Sequence, residues 1–306
     1  MANDICGLIT MNAKITNPSD VELQIIANYK CHCGENPLWN PIDNRLYWCD
    51  IPNGRIFRYE PTANVHEICF EGDIVGGFTI ESDGALLLFM AHGAIRRWSN
   101  GTLTTIVSEI PDERESRFND VLADPIGRVF CGTMATQARP GRLYRLDLDR
   151  GLTVMVEGVK CSNGMAFSPN HRRMYYTDSF AREIYVFDFD VQTGSLTNRQ
   201  LFVKNAEIDG MPDGSTVDAE GCLWSAQWDG SCLIRYRPDG TEDRRINFPT
   251  KKVSSLTFGG PDYSDLYVTT AGGDNPEENG EHAGALFRLN VGIRGVAEFH
   301  SRLGSR

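Results

Sequence analysis

The chain has 306 residues, of which 41 are Asp or Glu and 30 are Lys or Arg, so its formal net charge is −11. This length suits one large domain or two ordinary ones, and a chain of this size buries roughly 75% of its unfolded surface. The acidic balance excludes a nucleic-acid-binding protein, because phosphates require a basic surface.

Residues 1–20 precede the first predicted strand and are interpreted as an N-terminal extension that is a candidate for disorder. They contain no basic region followed by a long apolar run, and the chain has no apolar segment of 18 residues. We therefore predict neither a signal peptide nor a membrane span. The nine cysteines are scattered, which without a secretion signal favours free thiols in a reducing cytoplasm.

The first predicted strand, VELQIIANYK (21–30), leads into CHCGENPLW (31–39). The Cys31-His32-Cys33 triplet invites interpretation as a soft-metal site. A zinc site needs about four ligands, however, and no second Cys/His cluster with metal spacing follows. The sequence therefore favours Cys31 and Cys33 as small, partly buried residues in an extended segment.

Six stretches between residues 43 and 290 then share one pattern of a turn, a short β-rich run, a loop and a second run. Their first apolar residues are separated by 39, 44, 45, 49 and 43 positions and are Leu46, Ala85, Val129, Met174, Leu223 and Leu266. A period near 44 with several strands per unit is typical of a β-propeller. We predict an all-β, six-bladed β-propeller over residues 21–303. Its ring closes either through the strand 21–30, in the sixth blade, or through GVAEFH (295–300).

The innermost strand of each blade should precede these apolar residues. Ten or eleven positions earlier lie Glu35, Val75 or Gly76, Asn119, Asn163, Asp213 and Ser255. Equivalent positions in a radial repeat converge near one end of the central channel. Two carboxylates and two amides suit a hard cation such as Ca²⁺, Mg²⁺ or Mn²⁺, although Asn and Asp before glycine also cap turns. The sequence predicts a central divalent-metal site from Glu35, Asn119, Asn163 and Asp213.

Arg117 lies two residues before Asn119, so both side chains share a face if the segment is extended. Arg117 is therefore a candidate substrate ligand, and its alternative role is a salt bridge to Glu113 or Glu115. Asp120 is expected to face the opposite way. Strand direction brings the loops between second and third strands to the metal end, and these loops contain His92, Gln137, Asp178, Gln227, Trp228 and residues 271–284.

At these motifs the chain resembles the regucalcin (senescence marker protein) and gluconolactonase family, from about residue 22 to residue 300. The motifs occur in the family's order and are CHCGENPLW, RFNDVLADPIGRVFCGTM, SNGMAFSPN with YYTDS, PDGSTVDAEGCLW and FGGPDYSDLYVTTA. The resemblance implies a six-bladed propeller with one divalent ion that hydrolyses sugar lactones to aldonic acids. The expected ion is Ca²⁺, with Zn²⁺, Mn²⁺, Mg²⁺ and Fe²⁺ as alternatives.

By the same resemblance, Glu35, Asn163 and Asp213 would bind the metal, and Asp213 would also be the acid/base residue. Arg117 and Asn119 would contact substrate, with Asn119 close enough to the ion to be a ligand. Gln137 stands near the position of a substrate-contacting Glu in regucalcin-like members, and the loop 135–141 looks shorter than theirs, so the sugar preference stays open.

The expected partner is therefore a small-molecule sugar lactone, with no nucleic acid and no membrane, and the expected assembly is a monomer or a weak homo-oligomer. Three alternatives remain open at this stage. The first is a hydrolase of organophosphates or other esters on the same metal site. The second is a non-catalytic calcium-binding regulatory protein, and the third is a propeller scaffold that only binds partners.

Overall fold

The computed structural model describes residues 14–16 and 21–304, which form antiparallel strands, irregular segments and short 3₁₀ turns. The interpretation of residues 1–13 and 17–20 as part of an extension falls outside the described residues. Within the described part the 3₁₀ turns are Pro111–Glu113, Ser179–Ala181, Glu207–Asp209 and Pro276–Asn279. None of them has the length and apolarity that crossing a membrane requires.

The strands form six sheets arranged as the blades of a propeller, which confirms the predicted fold class. The chain enters through β1 (Lys14–Thr16) and β2 (Glu22–Ala27). Blade one is β3 (Gly34–Asn40), β4 (Arg45–Asp50), β5 (Arg55–Glu60) and β6 (Val65–Glu71). Blade two is β7 (Val75–Ile80), β8 (Leu86–Met90), β9 (Ile95–Ser99) and β10 (Thr102–Val107). Blade three is β11 (Phe118–Ala123), β12 (Val129–Thr133), β13 (Gly141–Leu146) and β14 (Leu152–Val159).

The second half of the chain repeats this arrangement. Blade four is β15 (Ser162–Phe167), β16 (Arg173–Asp178), β17 (Glu183–Asp190) and β18 (Ser195–Lys204). Blade five is β19 (Met211–Val217), β20 (Leu223–Trp228), β21 (Cys232–Tyr236) and β22 (Glu242–Asn247). Blade six begins with β23 (Val253–Gly259), β24 (Asp265–Thr270) and β25 (Leu286–Asn290).

The ring closes within blade six, because β2 pairs antiparallel with β25 and β1 adds outside β2. This confirms residues 21–30 as the strand that completes the sixth blade. The alternative closure through GVAEFH (295–300) is wrong. That segment is irregular: Gly295 N donates to Tyr263 O of blade six, and the Glu298 carboxylate accepts from Thr216 of blade five.

The strands of a blade differ in burial, and this explains which of them have apolar sequences. The inner strand β7 and its neighbour β8 are buried throughout, whereas β10 at the outer edge is exposed over its first four residues. Strands buried on both faces read as continuous apolar runs, such as LLLFM in β8. The core consists of six apolar clusters, each lying between two adjacent blades.

Residues 291–304 form a segment that we call the C-terminal strap, and it crosses the channel at the end where the inner strands finish. Ser301 N donates to Ile80 O of blade two at 2.9 Å, and Gly295 N donates to Tyr263 O of blade six at 2.8 Å. The buried Glu81 carboxylate accepts from Leu303 N and Gly304 N, both at 2.8 Å. The strap therefore covers one end of the channel and leaves the functional residues at the other.

All six inner strands carry a register shift near their first residues. The shifts lie between Glu35 and Leu38, Val75 and Gly77, Phe118 and Val121, Asn163 and Met165, Pro212 and Ser215, and Val253 and Ser255. An irregularity of this kind leaves one residue unpaired and turns nearby side chains away from strict alternation. The bulges therefore form a ring at one level of the channel, at the predicted site.

Candidate functional site

A cavity of about 210 Å³ lies at the end of the channel where the inner strands begin. Five of the residues predicted for the site line it, although they are distant in sequence, and they are Glu35, Arg117, Asn119, Asn163 and Asp213. They come from blades one, three, four and five. The repeat register thus brings these side chains together, and their individual roles remain predictions.

Two buried carboxylates dominate the floor of this cavity. Asp213 Oδ1 accepts a short hydrogen bond from Asn163 Nδ2, which also donates to Ser179 Oγ at 3.1 Å. Glu35 Oε2 accepts from the backbone N–H of Asn36 at 3.2 Å. Burial, reinforced by repulsion from Asp120, raises the pKa of Glu35 to about 8. Burial and repulsion from Glu35 and Asp120 raise the pKa of Asp213 well above its ordinary value.

Asp120 is a functional neighbour that the sequence interpretation left out. It does not line the cavity, but its carboxylate lies close enough to raise the pKa of both Glu35 and Asp213. Its own pKa is raised to about 6 by burial, while a bond from Val121 N at 2.8 Å opposes the shift. Asp120 was expected to face away from the site, and it does not line the cavity. A bulge between Phe118 and Val121 interrupts strand alternation at this point.

The donor set fits a divalent cation. Three carboxylates lie within electrostatic reach of one another, and Arg117 is the cation that lowers the pKa of Glu35 and of Asp213. A bound divalent ion would supply the missing positive charge, and carboxylate and amide oxygens are ligands for hard cations. In the described residues no three His, Cys, Asp or Glu side chains are grouped to hold a metal, so the predicted set depends on the Asn163 amide. That amide presents Nδ2 to Asp213, and half a turn about its terminal bond would present Oδ1 instead.

Arg117 and Asn119 form a hydrogen-bonded unit on the wall. Arg117 Nη1 donates to Asn119 Oδ1 at 2.7 Å and to Phe118 O at 2.8 Å, so the two side chains share a face as predicted. The alternative salt bridge of Arg117 is absent among the described residues. Glu113 instead accepts from Arg139, and from Tyr144 Oη at 2.7 Å.

The Cys31-His32-Cys33 stretch is a turn rather than the expected extended segment. Its two backbone N–H groups at positions 32 and 33 donate to the Asp50 carboxylate, which holds the turn. Cys31 packs in the core between blades six and one, whereas Cys33 lines the cavity. Burial raises the pKa of both thiols, which disfavours the thiolate that a metal ligand requires.

A groove of about 550 Å³ adjoins the cavity and shares Cys33, Arg117 and Trp228 with it. Several residues of the long loop 271–284 line this groove, among them Gly273, Asp274 and Glu278. The loop thus stands at the mouth, as its position after β24 predicts.

The other predicted mouth residues have different surroundings. Asp178 is buried and accepts from Lys160 N and Cys161 N, both at 3.1 Å, and Gln227 is buried against Asn205 and Ser225. His92 lines a separate groove beside Arg117. Gln137 is exposed in the turn between Thr136 and Arg139 and does not line the cavity, so its contact with substrate remains a prediction.

Four apolar residues line the wall, and they are Met134, Phe180, Met211 and Trp228. Only Trp228 was indicated by the sequence, as part of a predicted mouth loop. Met211 pairs with Trp228 across β19 and β20, and Phe180 lies in the 3₁₀ turn after β16. These residues lie at or beyond the ends of strands, and sequence periodicity locates strand ends least well.

The chain matches the model of the SMP-30/Gluconolactonase/LRE-like region over residues 33–272. It is 45% identical to pentonolactonase XacC of Haloferax volcanii, covering 91% of this chain and 98% of that protein. Human regucalcin is 32% identical, with 92% and 98% covered. Among solved structures, the calcium-binding protein regucalcin from Agrobacterium tumefaciens superposes with a TM-score of 0.85 at 25% identity, covering 91% of this chain and 97% of that one.

Proposed function

Because the chain belongs to the SMP-30/gluconolactonase/LRE-like family, we propose that it is a metal-dependent lactonase that opens sugar lactones to aldonic acids. The observation that carries the proposal is the meeting of Glu35, Arg117, Asn119, Asn163 and Asp213 in one cavity. The identity of 45% to a pentonolactonase, over nearly its whole length, supports the reaction class.

Glu35, Asn163 and Asp213 are the proposed ligands of one divalent cation. Ca²⁺ is the first candidate, since a solved relative is described as calcium-binding, and Zn²⁺, Mn²⁺, Mg²⁺ and Fe²⁺ are alternatives. When bound, such an ion would polarise the lactone carbonyl, make a water more acidic, or both. The Asn119 amide oxygen accepts from Arg117 and keeps a second lone pair, so Asn119 is proposed as a substrate contact that lies close enough to the ion to be a further ligand.

The side chains would bind the substrate and transfer the proton. Arg117 would donate to the lactone oxygens, since Nε and Nη2 have no protein partner among the described residues, and would stabilise the oxyanion that develops. Asp213 would accept the proton of the attacking water as the new C–O bond forms. It would pass that proton to the ring oxygen as the acyl C–O bond breaks, which leaves a hydroxy acid.

The burial of Asp213 favours its protonated form, whereas a bound cation favours the carboxylate. This opposition suits a group that must both take up and release a proton near neutral pH. We assign the acid/base role to Asp213 rather than to Glu35 on the family resemblance, and the bond from Asn163 holds its carboxylate in the cavity.

A screen with a pH indicator over several aldonolactones, with and without chelator, tests the proposal directly. Hydrolysis that is lost with chelator and restored by a divalent ion is expected. Faster turnover of phosphotriesters or simple esters would favour another hydrolase on the same site. Tight Ca²⁺ binding without turnover of any of these would favour a regulatory calcium-binding protein.

The cytoplasm is the proposed compartment. Eight cysteines of the described residues are free, and most of them are buried. Buried free thiols fit a reducing environment.

A further inference from the structure

The wall of the cavity has two chemically different halves. The polar half consists of the carboxylates, amides and Arg117 described above. The other half carries Met134, Phe180, Met211 and Trp228, together with the sulfur atoms of Cys33 and Cys161. Apart from Ser179 and the indole N–H of Trp228, this half offers an incoming sugar few groups that form strong hydrogen bonds.

Phe180 is the most exposed member of this apolar half, with 53% of its surface accessible. A single exposed phenyl group is ordinary on a protein surface, but this one belongs to a cavity wall. Its turn is held by Ser179 N, which donates to Cys161 O at 3.1 Å, and by Arg182, whose left-handed backbone conformation ends the turn. The backbone therefore holds residue 180 at the cavity wall.

Trp228 is the second aromatic residue of the wall. Lys252 Nζ lies 4.6 Å from the centre of the indole ring and also pairs with Asp229. The indole lines both the cavity and the adjoining groove. A substrate that reaches from the cavity floor toward the groove would pass between the polar floor and these aromatic residues.

The floor of the cavity also has few polar groups free to bind substrate oxygens. If Glu35, Asn163 and Asp213 hold the cation, Arg117, Asn119 and Ser179 remain for substrate oxygens. Asn119 Nδ2 is already committed to Ser162 O at 2.9 Å. These groups suffice for the carbonyl and a nearby hydroxyl, whereas a distal hydroxyl against the Phe180 ring or the face of the Trp228 indole would find no strong hydrogen-bond partner there.

We propose that the cavity selects lactones whose carbon atoms farthest from the carbonyl present C–H surface, with Phe180 and Trp228 as specificity-determining residues. The preferred class is deoxy or alkyl-substituted lactones, above fully hydroxylated ones of the same ring size. This inference rests on the proposed lactonase function for its substrate but concerns a different part of the cavity. A removed hydroxyl or an added methyl group is worth about tenfold or more in an apolar pocket.

The test uses a pentono-1,4-lactone and its 5-deoxy counterpart with the Ca²⁺-loaded protein. We expect kcat/KM to be about tenfold higher for the deoxy lactone, and we expect Phe180→Ser to remove that preference. Leu201→Ser is the matched control, because Leu201 lies in the same blade with 54% of its surface exposed but does not line the cavity. It should leave the preference unchanged. Trp228→Gln provides a second cavity variant should Phe180→Ser fail to fold.

Binding of the two corresponding lactams, measured by calorimetry, separates this inference from the proposed function. Tighter binding of the deoxy lactam, lost in Phe180→Ser, supports the inference even if neither lactone is hydrolysed, and in that case the lactonase proposal alone fails. Equal binding of both lactams, tighter binding of the hydroxylated one, or an unchanged preference in both cavity variants would overturn the inference.

Discussion

Arg117 Nη1 donates a hydrogen bond of 2.7 Å to the Oδ1 atom of Asn119. The orientation of that amide is set by its other end, because Asn119 Nδ2 donates to the backbone oxygen of Ser162, which can only accept. Asn119 therefore links blade three to blade four and turns its oxygen toward the guanidinium. The arginine that would meet the substrate is thus positioned through the contact between two blades.

Arg117→Lys should lower kcat/KM on a good lactone by about tenfold to a hundredfold. A planar guanidinium can hold Asn119 and donate a fork to substrate oxygens, which an ammonium cannot reproduce. Charge-assisted bonds of this kind contribute roughly 1.5–3 kcal/mol. The melting temperature should barely change, and Arg114→Lys, at an exposed ion pair with Glu109, serves as the control. Earlier melting with normal turnover of the folded fraction would make Arg117 a structural residue.

Glu35→Gln, Asn163→Ala and Asp213→Ala should each weaken divalent-ion binding by about tenfold or more. Each change removes a charge or an oxygen from the cavity floor. Calorimetric titration with Ca²⁺ measures the effect, and Asp209→Asn, at a surface ion pair with Arg245, is the control. If a variant keeps wild-type affinity, the residue replaced in it is not a metal ligand.

The stability of the metal-free protein should fall as pH rises from about 4.5 to 8. The folded-state pKa of Glu35 is raised from 4.5 to about 8, so the fold binds more protons than the unfolded chain in this window, and its stability declines as they are lost. Raised pKa values of Asp120 and Asp213 add in the same direction. Melting temperatures in chelator should decline across the window, and a divalent ion should reverse the decline. The same slope in Glu35→Gln would remove Glu35 as a cause.

The double variant Cys31→Ser with Cys33→Ser should keep its bound metal and most of its activity. Cys33 lines the cavity, but burial raises the pKa of both thiols, and Cys31 packs in the core. Some loss of melting temperature is expected from Cys31, because a hydroxyl replaces a thiol in an apolar cluster. Measuring the metal content of the folded variant tests this prediction. Loss of the ion would support the soft-metal interpretation of Cys31 and Cys33.

Glu81→Gln should destabilise the fold by about 3 kcal/mol while leaving the affinity for the cation unchanged. The buried carboxylate receives two N–H groups of the C-terminal strap and the Arg97 guanidinium, and the neutral amide would leave Arg97 paired only with the exposed Asp83. Denaturant unfolding measures the loss. Glu71→Gln, at an exposed pair with Arg55, should have no measurable effect. Weakened metal binding in Glu81→Gln would show that the two ends of the channel are coupled.

The repeat period located the inner strands and the level of the site, because a radial repeat returns the same position to the axis in every blade. Periodicity could not indicate that Asp120, which does not line the cavity, would raise the pKa of Glu35 and Asp213, because that effect depends on distances around the bulge at the start of β11. Phe180 was also beyond prediction, because its place on the wall depends on a 3₁₀ turn and one left-handed residue, Arg182. Local backbone irregularity therefore limits what the sequence alone predicts here.

The pairing of β2 with β25 has a consequence for synthesis on the ribosome. Gln24 and Arg288, which share a hydrogen bond across this pair, are 264 residues apart. The edge of β2 that will receive β25 must wait, unpaired, until residues 286–290 have emerged. Blades one to five can form as they leave the exit tunnel, whereas the ring can be completed only after blade six has been synthesised. Chaperone dependence should therefore concentrate on this interval, when an open ring exposes its β2 edge to other nascent chains.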